Sequence, residues 1–237
     1  MSKYHSSLTD ADGIHEPKNI TGSTSGYVYI SNGNGTGTWG KAEELGDTKA
    51  DSFLLNNTVW NDLRIPLTSA KVPGTGGATL TQINDDGAGS IGVFTYSFAS
   101  GTENSLYFTA QLPHSLKAGT TIRPHLHWAP SDNTVGDVVW GLEYCFSNYG
   151  LGMNNTSTIT VTDSSPQVTN EQSIANFPDI VSSSEGTSDH IKESTIIIAR
   201  LYRDATNGSD TYAAGAFALS FDFHIKLEKI GSIVEIP

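Results

Sequence analysis

The C-terminal part of the chain alternates between apolar and polar side chains with a strict period of two. Because successive side chains of a β-strand point to opposite faces, this pattern predicts a long strand over residues 217–229 with one buried face. Such a strand needs neighbouring strands for its backbone and a second layer of structure over its apolar face. The apolar positions are Leu219, Phe221, Phe223, Ile225 and Leu227, and the polar positions are Ser220, Asp222, His224, Lys226 and Glu228.

Strand patterns recur along the preceding chain, with no amphipathic helical pattern between them. Charged residues make up 16% of the chain, against about 25% in average globular domains, which favours β-structure with polar turns. We therefore predict an all-β fold, an antiparallel β-sandwich of the jelly-roll type with an extended N-terminal arm. Residues 196–199 are apolar on both faces, which predicts a central strand covered on both sides, one cover coming from a neighbouring subunit. The other predicted strands are residues 91–98, 105–112, 120–128, 137–146 and 158–162, and the predicted strand around the apolar run is 195–202.

The first 50 residues differ in composition from the rest, with few apolar side chains. Within them, residues 27–30 and a glycine-rich turn predict a short hairpin that ends at Trp39. A lone hairpin is marginally stable at best, so this segment must bind to something else. We predict an anchoring and oligomerisation segment over residues 1–50, with Tyr27, Tyr29 and Trp39 as attachment residues, and a β-sandwich domain over residues 51–237.

Net charge and cysteine content exclude several classes of function. The formal net charge is −12, which disfavours binding to nucleic acid and to anionic membranes. Cys145 is the only cysteine, so neither an internal disulfide nor a thiolate zinc site is expected. Because no secretory signal or long apolar span is present, we expect synthesis in a reducing cytoplasm and no membrane partner.

His125 and His127 form the motif that most invites a chemical role. On a strand they share a face with Arg123, and their spacing is similar to the opening of a cupin metal motif. The glutamate and the later histidine that a cupin requires are missing, and Arg123 opposes a cation. A variant site would add Asp222, His224 and Glu143, whose faces the sequence cannot place together. We predict structural histidines, with no metal and no cofactor, and keep a cupin-like metal enzyme as a remote alternative.

Nucleophilic catalysis has no support in the sequence. No nucleophile elbow is present, and Cys145 lies between two aromatic residues in an apolar strand, where a thiol is usually inert. We therefore assign no catalytic residue and predict a protein that is not an enzyme. Exposed aromatic side chains on a β-domain can also stack on sugars. The candidates for glycan binding are Trp60, Trp128, Trp140 and Tyr149.

Several sequence blocks together resemble a β-domain of tailed-phage virion proteins. The blocks are TVWNDLRIPL at 58–67, GVF at 92–94, LYFTAQLPHS at 106–115, PHLHW at 124–128 and WGLEY at 140–144. The resemblance covers most of residues 58–149 and assigns no catalytic residue. A shorter similarity links GYVYI at 26–30 and GTGTW at 35–39 to hairpin segments that precede such domains in fibre and decoration proteins.

The resemblance implies a structural subunit of a virion, a fibre, knob or decoration protein that is made in the host cytoplasm. It further implies a homotrimer that attaches to other virion proteins, of head or tail, through its N-terminal region. The alternative is a receptor-binding or glycan-binding module of a tail fibre that recognises a host-surface glycan. Under either interpretation the residues predicted to be structural are Trp60, His125, His127, Trp128 and Trp140.

Overall fold

A computed structural model describes residues 27–31, 37–41, 54–181 and 190–231 of the chain. The chain forms two compact units, Met1–Phe53 and Leu54–Pro237. Residues 1–26 and 42–50, which include most of the predicted arm and linker, lie outside the described residues. Among the described residues, no helix has both the length and the apolar character needed to cross a bilayer.

The first unit contains the predicted hairpin. Its strands are β1 (Tyr27–Ser31) and β2 (Gly37–Lys41), which pair antiparallel. Tyr29 and Trp39 occupy directly opposite positions in this register. The side-chain contacts of Tyr27, Tyr29 and Trp39 lie outside the described part of the structure, so their attachment role stays a prediction.

The second unit consists of two antiparallel sheets. The strands described in this unit are β3 (Leu54–Ile65), β4 (Thr79–Asn84), β5 (Val93–Phe98), β6 (Asn104–Gln111), β7 (Arg123–Pro130), β8 (Asp137–Ser147), β9 (Ser157–Ser164), β10 (Ser173–Asn176), β11 (Ile196–Arg203) and β12 (Ala216–Lys229). The six-stranded sheet has the order β10-β7-β12-β5-β4, and β3 pairs with β12 beyond the end of β5. The four-stranded sheet has the order β6-β11-β8-β9.

The inner faces of the two sheets form one hydrophobic core, so the predicted all-β sandwich is confirmed. The six-stranded sheet contributes Trp128, Phe221 and Phe223, all of which have no exposed surface. Trp140 comes from the four-stranded sheet, and its ring lies 6.0 Å from that of Trp128 between centroids. Edge-to-face contacts of this kind add to the stabilisation from area burial.

Strand β12 is long and buries one face, as the period-two pattern predicts, and it lies at the centre of the six-stranded sheet. Phe221, Phe223 and Ile225 face the core, with exposed fractions of 0%, 0% and 1%. The prediction is wrong at Leu219, because a register shift against β7 occurs between Ala218 and Ser220. An extra residue in one strand disrupts the alternation locally, and Leu219 lines a depression on the outer face instead.

Three strands were not predicted from the sequence: β3, β4 and β10. β3 is rich in asparagine and aspartate, residues that are depleted in strands and typical of turns. The predicted strand 120–128 begins later, at Arg123, and continues to Pro130. β11 is a central strand as predicted, paired with β6 and β8. Burial of its outer face by another subunit stays a prediction.

A buried ion pair joins the end of β11 to the following loop. The Arg203 side chain is fully buried, and its Nε and Nη2 donate to the two carboxylate oxygens of Asp210 at 2.9 Å and 2.7 Å. Its remaining donors reach the carbonyl oxygens of Phe98, Ala214 and Tyr212. Because every part of the guanidinium fork has an acceptor, the cost of burying the charge is offset.

Candidate functional site

The outer face of the six-stranded sheet carries a cluster of histidines and carboxylates. Directly opposite residues of antiparallel strands share a face. On β12, Asp222 lies between His125 of β7 and Arg64 of β3. Two positions further along β12, His224 lies opposite Asp62 of β3. The central position of β12 therefore brings side chains from three strands together.

Asp222 is the buried centre of this cluster. Only 6% of its side chain is exposed, although it belongs to the polar face of β12. Its Oδ2 lies 3.2 Å from His127 Nε2. Among the described residues, no hydrogen-bond donor with suitable geometry reaches its Oδ1. A buried carboxylate oxygen without a hydrogen-bond partner is unfavourable. Such an atom is rare in folded proteins and therefore needs an explanation.

His125 and His224 face the free oxygen of Asp222. Oδ1 lies 3.7 Å from His125 Nδ1 and 3.5 Å from His224 Nε2. The two ring nitrogens are 3.2 Å apart, and Asp62 Oδ1 lies 3.0 Å from His224 Nε2. Burial lowers the pKa of His125, as does the nearby His224, while the Asp222 carboxylate opposes the shift. His125 therefore stays neutral down to a lower pH than an exposed histidine does. In the neutral form one of its ring nitrogens has a lone pair available.

His127 has a different role from His125, although both lie on the same face of β7. Its Nδ1 lies 2.6 Å from Gln172 Nε2, and its Nε2 lies 3.2 Å from Asp222 Oδ2. Because an amide nitrogen donates, this arrangement assigns the acceptor role to Nδ1 and the proton to Nε2. His127 then donates to Asp222 and fixes the orientation of the carboxylate.

A depression of about 300 Å³ opens beside the cluster on the outer face. This volume is at the lower end of the range of small-molecule sites, about 300–1,000 Å³. Its lining mixes charged and neutral polar groups with one apolar side chain. The lining residues are Asp62, Arg64, His127, Gln172, Leu219, Ser220 and Asp222.

Trp60 lies on the same face of β3 as Asp62 and Arg64, and 43% of it is exposed. The guanidinium carbon of Arg123 lies 4.7 Å from the centre of its ring, and Lys226 Nζ lies 5.0 Å from it. These cation–π contacts hold the indole in place at the surface. Arg123 also pairs with Asp179 at 3.3 Å, which offsets the charge that was predicted to oppose a cation near His125 and His127.

The four aromatic residues predicted as candidates for glycan binding differ in exposure. Trp128 and Trp140 have no exposed surface, so neither can stack on a sugar. Trp60, also predicted to be structural, is exposed, and Tyr149 is exposed by 79%. Glu143 lies on the four-stranded sheet, where its Oε2 accepts from Arg200 Nε at 3.0 Å. Its proposed place beside His125 and His127 is therefore wrong.

Cys145 does not offer a nucleophile. It is a free, half-buried thiol on β8. Burial raises the pKa of this thiol, and the nearby Glu143 carboxylate raises it further. Since the thiolate is the reactive form, the thiol is expected to be inert at neutral pH.

Gln172 and Asp62 were missed by sequence reasoning, and Asp222 and His224 were considered only with Glu143. The sequence does show that β7 and β12 each have polar side chains at alternate positions, which predicts a polar face on each strand. It does not show that β7, β12 and β3 are neighbours in the sheet. That adjacency depends on the order of the strands in the sheet, which a single sequence does not show.

No protein-family model matches the chain, and no curated protein is significantly similar to it. Similar solved structures exist at low identity. An isomalto-dextranase from Arthrobacter globiformis T6, complexed with panose, has a TM-score of 0.39 and 10% identity, covering 72% of this chain and 24% of that one. This chain thus spans about a quarter of that enzyme's length.

Two further solved structures are similar to this chain at comparably low identity and TM-score. A CBM35 from Cellvibrio japonicus Abf62 has a TM-score of 0.31 and 12% identity, covering 70% of this chain and 92% of that one. The structure of the Gx strain of infectious bursal disease virus has a TM-score of 0.35 and 11% identity, covering 84% of this chain and 36% of that one. At scores and identities this low, none of these likenesses supports a statement about what this chain binds or catalyses.

Proposed function

We propose that this chain is a non-enzymatic binding module that recognises a neutral carbohydrate on the outer face of its six-stranded sheet. The observation that carries the proposal is the depression of about 300 Å³, whose lining has both acidic and basic side chains. The exposed Trp60 lies on β3, the strand that also provides Asp62 and Arg64 to that lining. A concave site with a few convergent polar groups is the usual form of a small-molecule site.

The polar lining fits a ligand with many hydroxyl groups. Hydroxyls both donate and accept, and the depression offers acceptors on Asp62 and donors on Arg64 and Gln172. Opposite charges lie close together, with Arg64 Nη2 at 3.7 Å from Asp62 Oδ2. Arg64 offers donors and Asp62 offers acceptors, so the hydroxyl groups of a neutral sugar can form hydrogen bonds with both.

The exposed Trp60 would supply the apolar contact that sugar rings require. Its indole is fixed by Arg123 and Lys226 but remains accessible. A rigid aromatic side chain provides a large contact area at a small cost in conformational entropy. The module therefore combines a stacking surface with hydrogen-bonding groups on one face.

The carbohydrate function predicts binding of neutral oligosaccharides that depends on Trp60 and Arg64. An array of glucose, galactose and N-acetylglucosamine oligosaccharides would identify a ligand, and calorimetry would measure its affinity. We expect Trp60→Ala and Arg64→Ala each to weaken binding by about tenfold or more, because each removes an anchor of the site.

Tyr149→Ala is the matched control, since it removes an exposed ring that lies outside the depression. Its affinity should equal that of the unaltered chain. Absence of binding to every oligosaccharide of the array would refute the carbohydrate function, as would equal losses in Trp60→Ala and Tyr149→Ala.

We propose as a second function that the chain is a self-associating structural subunit of a virion. The sequence resemblance supports this, and so does an apolar surface on the β4–β5 hairpin. β4 lies at one edge of its sheet, and Leu80 and Phe94, which lie on the same face of the hairpin, are exposed by 55% and 43%. Exposed apolar side chains at a sheet edge are typical of surfaces that another chain covers.

The structural function predicts a homotrimer. Light scattering of the purified full chain should give about three times the chain mass of 25.3 kDa. Phe94→Glu should shift the population toward the monomer, because it places a charge in the covered surface. A monomeric full chain at high protein concentration would contradict this function and leave the carbohydrate function untouched.

A further inference from the structure

We propose that His125, Asp222 and His224 form a binding site for a divalent transition metal ion of the zinc type. The three residues come from the neighbouring strands β7 and β12 and present one ligand atom each, all within 4.8 Å of one another. The proposal does not depend on carbohydrate binding or on the oligomeric state.

The separations of the ligand atoms match the size of a tetrahedral site. A zinc ion with bonds of about 2.0–2.1 Å holds its ligands about 3.3 Å apart along each edge of the tetrahedron. Here the His125 Nδ1 to His224 Nε2 edge is 3.2 Å. The two edges from Asp222 Oδ1 are 3.5 Å to His224 Nε2 and 3.7 Å to His125 Nδ1. An ion at the centre needs movements of only a few tenths of an ångström.

The free oxygen of Asp222 points to a missing partner. The carboxylate is buried, its Oδ2 contacts His127, and no donor among the described residues satisfies Oδ1. Two imidazole nitrogens lie within 3.7 Å of Oδ1, and in the unprotonated form each has a lone pair that can bind a cation. A cation between these three atoms would remove the cost of the unpaired buried oxygen.

Neighbouring groups hold the proposed ligands in position by hydrogen bonds, as is usual around metal sites. Gln172 and His127 form a chain of hydrogen bonds that ends on Asp222 Oδ2 and leaves Oδ1 directed at the histidines. Asp62 Oδ1 lies 3.0 Å from His224 Nε2 and supplies a second carboxylate near the ion. The two carboxylates balance the charge of a divalent cation.

The ligand set selects the class of metal. Two imidazole nitrogens and one carboxylate oxygen suit zinc and its first-row neighbours, whereas calcium and magnesium prefer oxygen ligands alone. Three protein ligands leave a fourth position for water or another group, since structural zinc sites are almost always four-coordinate.

The test uses the full chain without a histidine tag, freed of metal by a chelator and then dialysed. Calorimetric titration with Zn²⁺ should show one ion per chain. Asp222→Asn and His224→Gln should weaken binding by at least about a hundredfold, since each removes a ligand. His114→Gln is the matched control, because His114 lies outside the cluster and contacts Ser194; its affinity should be unchanged.

Titration with Co²⁺ tests the site without any substitution. A four-coordinate site gives intense visible absorption, whereas six-coordinate Co²⁺ absorbs weakly. The proposal is overturned if the unaltered chain binds no stoichiometric Zn²⁺, if bound Co²⁺ gives only the weak spectrum, or if folded Asp222→Asn binds Zn²⁺ as tightly as the unaltered chain. Circular dichroism in chelator confirms that each variant is folded before its affinity is compared.

Discussion

At the scale of single residues, the buried side chains of Arg203 and Asp222 have very different surroundings. Arg203 is surrounded by acceptors, including both oxygens of Asp210. Asp222 has one oxygen held by His127 and one oriented toward two imidazole nitrogens without a hydrogen bond. The first arrangement is complete within the chain and is structural. The second is complete only with a further group, which is why it is the better candidate for function.

Asp210→Ala is expected to cost about 3–5 kcal/mol of folding free energy, because it leaves the Arg203 charge buried without its partner. Urea unfolding followed by circular dichroism would measure the change. Glu103→Ala is the control: it breaks an ion pair with Arg200 of similar length, 2.7 Å, that is partly exposed. Its cost should stay below about 1 kcal/mol. Equal costs would show that burial does not set the strength of these pairs.

At the scale of elements, β12 organises both faces of the domain. Its inner side chains form the centre of the core, and its outer side chains form the centre of the polar cluster. The period-two pattern predicts this division in advance. The bulge at Leu219 could not be predicted, because it depends on how β12 pairs with β7 across the sheet rather than on the residues of β12 alone.

Phe221→Ala is expected to destabilise the protein by about 3–5 kcal/mol, because the ring is fully buried and its removal leaves a cavity. Leu219→Ala, on the same strand, removes a half-buried side chain beside the outer depression and should cost about 1 kcal/mol. Thermal and urea unfolding of both variants would measure the difference. A Phe221→Ala midpoint no lower than that of Leu219→Ala would contradict the assignment of the inner face.

At the scale of the whole molecule, the chain divides into a small unit with a hairpin and a large unit with its own core. The units are Met1–Phe53 and Leu54–Pro237. A two-stranded hairpin buries too little surface for independent stability, whereas the two sheets of the large unit cover each other. The large unit is therefore expected to fold without the small one.

A chain lacking residues 1–50 should keep a cooperative thermal transition. Its midpoint should lie within about 4 °C of that of the full chain, a shift that corresponds to about 1 kcal/mol at this size. Differential scanning calorimetry of the two chains would make the comparison. Loss of the transition would mean that the N-terminal segment belongs to the core, and that the predicted division into residues 1–50 and 51–237 is wrong.

The sequence by itself determined the class of fold and the division of β12 into a core face and a polar face. Both follow from local periodicity, since the direction of a side chain on a strand depends only on its position along that strand. It also placed His125 and His127 on the same face as Arg123, and the structure shows that this face points outward.

The tertiary structure alone decided which of these residues meet. His125 and His224 are 99 positions apart in the chain, yet their ring nitrogens are 3.2 Å apart. They meet because β12 lies between β7 and β3, and strand order is a property of long-range pairing that leaves no trace in local pattern. The same pairing moved Leu219 to the outer face and left Glu143 on the other sheet. The order of strands in the sheet therefore determines which side chains form such a site. The sequence shows those side chains but not that they lie close together.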